Sequence, residues 1–180
     1  MLTLARKQEI EAIVDKIVKA NSLNRPGFDL TSFLRQKEQF EIGLQDIAND
    51  NITGLLLVNE QNTIANTHTH RLIIINSRTA GYSNSLQRKR ILIAHEYGHF
   101  KLHMSKKKIY AHSDYQTRTM PKDKEADFFA RCLLMPKELV NSALSPTMVG
   151  HSNLMEKIAL LARVFNVPAE TAHHRFLELN

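Results

Sequence analysis

The chain has 180 residues, of which 43% are hydrophobic and 23% charged, with a net charge of +6 and a sequence pI of about 9.5. This is the composition of a globular domain with a real core, and it excludes a disordered or low-complexity chain. The single cysteine, Cys132, excludes an intramolecular disulfide framework; no apolar run reaches the roughly 20 residues that span a bilayer, and the basic residues are spread rather than clustered.

In chain order, Ile10, Ile13, Val14, Ile17 and Val18 recur at helical spacing, which predicts an amphipathic helix over 7–20 rather than a signal peptide. A cytoplasmic location is therefore expected. The segment NSLNRPGF breaks this helix, and Asp29 or Thr31 caps a second one over 30–37. The runs ITGLLLV (52–58) and RLIIIN (71–76) are short, apolar and partly β-branched, and they predict antiparallel strands, with 63–66 as a third candidate. His68 and His70 alternate, so on a strand they share a side; a polar hairpin end accounts for them. A helix follows over 85–103, then some twenty residues of weak periodicity that open with Lys106, Lys107 and Lys108, a solvated charge run or a contact for an acidic segment. Helices are predicted again from 122 to 136, from 137 to 143, from 153 to 165 and from 169 to 179, the last two joined by a tight turn at Asn166, Val167 and Pro168.

The expected organisation is one α+β domain over 1–180. It comprises an N-terminal helical region (1–50), a sheet and metal-site core (51–143) and a helix-turn-helix-like pair (151–180). Phe165, Val167, Ala172 and Phe176 have the character of residues that hold two helices together. The last helix offers His173, His174 and Arg175 but little else that is basic, so packing or substrate docking is favoured and direct nucleic-acid binding is not expected. Cys132 reads as a small core residue.

The stretch ILIAHEYGHF (91–100) carries the chemistry. His95 and His99 stand four residues apart, on one face of a helix and one turn from each other, so both imidazoles reach one tetrahedral ion. Glu96 is the candidate general base, beside the water that the ion activates. His103 continues the line, but eight residues along a helix is about 12 Å, too far to share the ion with His95. It is expected to support the site from behind or to mark the helix end. A third protein ligand is still required, and Glu125, at the start of a helix whose Phe128, Phe129 and Cys132 share its face, is the candidate. An acidic residue favoured by the dipole of a helix start is the plainer alternative for Glu125. Asp127 falls on a different face and is set aside.

HEYGHFKLH followed by EADFFARCLLMP resembles the ImmA/IrrE family of metallopeptidases, which pairs H-E-x-G-H-x-x-L-H with a later E-x-x-x-F-A-x-x-L-L-M-P. The likeness extends upstream to GLLLVN, to Ile74, Ile75 and Asn76, and to RKRILIAHE, and downstream to LARVFNVPAETAHHRFL (161–177), covering about 50–180. Ile91, Leu92 and Ile93 depart from the usual Phe-Thr-Leu, and Tyr97 stands where Leu is commonest; neither touches a ligand. The resemblance implies a zincin-like fold of the gluzincin kind: a small antiparallel sheet packed on the H-E-x-x-H helix and surrounded by helices. It implies an intracellular zinc peptidase in which His95, His99 and Glu125 bind the metal and Glu96 is the base. Manganese and iron are chemically acceptable alternatives to zinc. The implied protein substrate is a DNA-binding transcriptional repressor, often encoded beside the peptidase on a phage or mobile element. Tyr97, His103, Tyr110, His112 and Tyr115 are candidates for stabilising the oxyanion. Two rival readings are a regulatory protein that binds metal and grasps a repressor without cutting it, and a DNA-binding protein that uses the C-terminal helices.

Overall fold

The computed structural model describes residues 2–49, 52–59, 69–80, 86–104, 121–145 and 152–180. The third candidate strand, His68, the three lysines of 106–108, Tyr110, His112 and Tyr115 lie outside the described residues. By contact density the chain divides into two compact units, one of residues 1–2 and 29–127, the other of 3–28 and 128–180.

The second unit is helical. Helix α1 (Leu4–Ala20) starts where the Thr3 hydroxyl accepts from the Arg6 amide, and it buries Ile10, Val14 and Val18, one residue per turn. Near the other end of the chain, α7 (Leu154–Phe165) opens with a complete capping box: the Asn153 side chain accepts from the Glu156 amide while the Glu156 carboxylate accepts from the Asn153 amide. It closes on Asn166 in the left-handed region (φ 52°), a conformation that asparagine tolerates better than most residues. Pro168, with φ −58°, then starts α8 (Ala169–Leu179). Helices α7 and α8 pack on each other, and Phe165, Val167 and Ala172 are fully buried, as their spacing predicts.

Arg175 is not a surface cation. It is buried, its Nε donates to the Met135 carbonyl at 3.1 Å, and its Nη1 donates to Glu11 Oε1 at 3.0 Å. Its guanidinium also stands over the Phe128 ring. Cys132 is buried in the same unit, and burial pushes its thiol up to about 12, so it serves as a small apolar group rather than a nucleophile. Helix α6 (Lys137–Ala143) follows directly on Pro136 and buries Val140.

The first unit carries the sheet. Helix α2 (Leu30–Lys37) is capped by Asp29, whose carboxylate accepts from the Ser32 amide and hydroxyl. These two bonds hold the Asp29 carboxyl below its ordinary value. Three strands follow, β1 (Glu41–Gln45), β2 (Gly54–Val58) and β3 (Arg71–Asn76), in the spatial order β1-β3-β2. Strand β2 runs antiparallel to β3, with Leu56 opposite Ile73. Strand β1 runs parallel to β3, with Gly43 opposite Ile74.

The sheet is thus mixed rather than purely antiparallel, and the region before residue 50 is not wholly helical. EIGLQ escapes sequence reading for a physical reason. In the described sheet it pairs on one side only and is half-exposed along its length, so it lacks the apolar alternation that marks a buried strand.

Asn76, fully buried at the end of β3, ties down the connection between β1 and β2. Its Nδ2 lies 2.7 Å from the Ile52 carbonyl and 3.2 Å from those of Ile47 and Asn49, while its Oδ1 accepts from the Ile47 and Arg78 amides. Its own amide donates to the Thr53 carbonyl, next to Gly54. The short helix α3 (Ser77–Ala80) continues from this point. Helix α4 (Leu86–His103) packs against β2 and β3 and is buried without a break from Leu92 to His99. A helix enclosed on all sides is where polar side chains are kept only if they have partners or a task. Helix α5 (Pro121–Leu134) supplies its first turns, to Asp127, to this unit.

Candidate metal centre

The i, i+4 spacing of His95 and His99 places their imidazoles one above the other on α4, with the two Nε2 atoms 3.0 Å apart. Asp123, in the first turn of α5, brings Oδ1 to 3.3 Å from His99 Nε2. Among the described residues, His95, His99 and Asp123 form the group of metal-ligating type, all buried, whose ligand atoms lie within 4.8 Å of one another. Ligands held at about 2.0–2.1 Å around a tetrahedral ion stand roughly 3.4 Å apart, so the observed spacings match what one ion requires. Two imidazoles and one carboxylate are also a donor set that borderline divalent ions take.

The first turns of α5 run alongside α4 as a ladder of acids facing histidines. Asp127 Oδ1 lies 2.7 Å from His95 Nδ1. A carboxylate only accepts, so His95 carries its proton on Nδ1 and turns the lone pair of Nε2 toward the cluster. Glu125 does not belong to the cluster of three; its Oε2 lies 3.0 Å from His103 Nε2. His103 Nδ1 in turn lies 3.0 Å from His99 Nδ1, so His103 stands behind a cluster histidine, in keeping with its distance along the helix.

Glu96 is buried at 2% exposure. Its Oε1 lies against Gly54 of β2, where an added Cβ would stand only 2.6 Å away. The absence of a side chain at residue 54 is what makes room for this carboxylate. Tyr97, two residues from both His95 and His99, faces another way by helical geometry. Its hydroxyl donates to Glu38 Oε1 at 2.6 Å, its ring meets Phe33 and Phe40 edge to face, and burial together with Glu38 pushes its phenol well above the ordinary range. The tyrosine is therefore held as a packing residue by an acid that also meets Lys101.

Sequence reasoning missed Asp123 and Gly54, and it set aside Asp127, which the structure places 2.7 Å from His95 Nδ1. A signal for the two aspartates existed. Asp123 and Asp127 repeat the i, i+4 spacing of His95 and His99, and two neighbouring helices present such pairs to each other. The apolar residues Phe128, Phe129 and Cys132 pointed instead to Glu125, but they belong to the core of the other unit and do not report which side of the first turns meets α4.

A family model described as the IrrE N-terminal-like domain, from a family of peptidases, matches residues 41–177. No curated protein matches the chain. Among the described residues, no helix is long and apolar enough to cross a membrane.

Proposed function

The chain belongs to the IrrE N-terminal-like family of metallopeptidases, whose substrates are proteins, and from that premise we propose that it is a zinc-dependent endopeptidase that cleaves a specific transcriptional repressor. The observation that carries the metal assignment is the buried cluster of His95, His99 and Asp123, backed by Asp127 on His95. In this reading those three residues hold the ion, with Asp123 in the role that the resemblance gave to Glu125. Zinc suits two imidazoles and a carboxylate; manganese and iron are the alternatives that metal analysis distinguishes. When bound, the ion supplies Lewis acidity that activates water and polarises the scissile carbonyl.

The chain's own residues do the rest. Glu96 takes the proton from the attacking water and passes it to the leaving amine. Its burial keeps bulk water from competing for that proton. Asp127 keeps His95 in the tautomer that a ligand needs. The choice of a repressor as substrate rests on the family resemblance, in which the peptidase and the regulator it cuts are often neighbours.

The test is Glu96→Gln beside wild type, each mixed with the repressor encoded next to it. The variant is expected to hold as much metal as wild type and to leave the repressor whole, while wild type yields two fragments. Retained cleavage by Glu96→Gln overturns the base assignment. Displacement of an intact repressor from its operator by wild type replaces the peptidase reading with that of a binding protein.

A further inference from the structure

The connection from β1 to β2 has an unusual path. The two strands it joins are not neighbours in the sheet, because β3 lies between them. Gln45, the last residue of β1, stands opposite Asn76, and Gly54, the first of β2, stands opposite Ile75. The chain between them therefore crosses the end of β3, where ladder pairing cannot serve its backbone groups.

Asn76 sits at that end, and its side chain takes over the task. Nδ2 lies 2.7 Å from the Ile52 carbonyl and 3.2 Å from those of Ile47 and Asn49. Oδ1 accepts from the Ile47 amide at 3.2 Å and from the Arg78 amide at 3.0 Å. A side-chain amide has two donor hydrogens and two acceptor lone pairs, and Asn76 commits all of them in a fully buried place. Its main-chain amide adds a bond to the Thr53 carbonyl at 3.0 Å.

The residue that this connection delivers is Gly54. A Cβ there would stand 2.6 Å from Glu96 Oε1 and 3.4 Å from its Cγ, so the place of the carboxylate depends on where the main chain of residue 54 runs. Glycine has no side chain with which to adjust that gap. The main chain is set by what holds residues 52 and 53, and both carbonyls are held by Asn76.

We propose that Asn76 is a positioning residue for Glu96. By gathering the carbonyls of Ile47, Asn49, Ile52 and Thr53 it fixes the main chain at Gly54, and so the place of the Glu96 carboxylate. The inference rests on the reading of Glu96 as the base, and extends it to a residue at the far end of β3.

The experiment follows the Overhauser contact between the Gly54 α-protons and the Glu96 γ-protons by NMR of the isotopically labelled full chain, freed of metal. The contact is expected to be strong in wild type. It should weaken or vanish in Asn76→Leu, which keeps the branched shape but neither donates nor accepts. It should persist in Asp29→Ala, which loses the α2 cap in the same unit and controls for lost stability alone. With metal and repressor, Asn76→Leu should lower kcat about 10- to 100-fold well below its Tm, at unchanged KM and metal content. A purely structural role predicts a lower Tm and an unchanged kcat. Asn76→Leu combined with Gly54→Ala should lose little more than the worse single variant, because both act on one contact, whereas independent losses multiply. If Asn76→Leu does not fold, Asn76→Asp takes its place, since it offers at most one donor to the carbonyls. An unaltered Overhauser contact or an unchanged kcat in the folded variant overturns the proposal. A wild type without the contact overturns it with no variant at all. If wild type cuts no repressor, the peptidase reading fails, and the Overhauser comparison still decides whether Asn76 sets the contact.

Discussion

Gly54→Ala is the sharpest test of how the fold holds Glu96. A Cβ built at Gly54 stands 2.6 Å from Glu96 Oε1, 3.3 Å from its Cδ and 3.4 Å from its Cγ, whereas ordinary van der Waals contact begins at 3.4 Å. The carboxylate must therefore retreat by about 0.8 Å (3.4 − 2.6) to admit one methyl group. A misplacement near 1 Å at a reacting group costs on the order of 100-fold in rate, which corresponds to about 2.7 kcal/mol of barrier. The fold itself has little to lose. Gly54 lies in regular strand backbone without a positive φ, and the atom in the way is the tip of a side chain, so the substitution should leave stability unchanged or raise it by about 0.4–1 kcal/mol through the unfolded state. The assay is steady-state cleavage of the repressor, with metal content and thermal unfolding measured on the same preparations. The expected outcome is a kcat about 100-fold lower, full metal loading and an unchanged or slightly raised Tm. A variant with wild-type kcat would refute the reasoning, because it would mean that the position of the Glu96 carboxylate against β2 does not matter to the reaction.

Two further outcomes test the two units separately. Asp29→Ala removes the cap of α2 and should cost about 1 kcal/mol near neutral pH in urea unfolding. Because the Asp29 carboxyl is held below the ordinary 3.8 in the folded chain, the stability it contributes is present above that value and is lost as the pH falls through the lower folded one, so the gap between wild type and variant should close in acid; a gap independent of pH contradicts the capping role. Arg175→Met keeps the apolar stem but strips the Met135 carbonyl and Glu11 of their donor, and should destabilise the chain by about 3 kcal/mol by guanidinium denaturation. A loss under about 1 kcal/mol would mean that the buried guanidinium is dispensable.

Helix ends were legible in the sequence because caps are local. Asp29 and the turn at Asn166, Val167 and Pro168 each act within one turn of their own position, so three or four letters suffice to place a boundary. The pairing of His95 with His99 and the place of Glu96 beside them were legible for the same reason, since 3.6 residues per turn dictates what shares a face. The buried pair of Phe165 and Ala172 across the last turn likewise followed from short-range spacing. Strand β1, the choice of Asp123 over Glu125 for the cluster, the bond from Asp127 to His95 and the gap at Gly54 were decided only by tertiary structure. Each depends on which side of one element meets another more than twenty residues away. No local preference encodes that choice: a glycine reads as weak strand, and an aspartate in a first helical turn reads as dipole compensation, until the neighbour that needs them is in place.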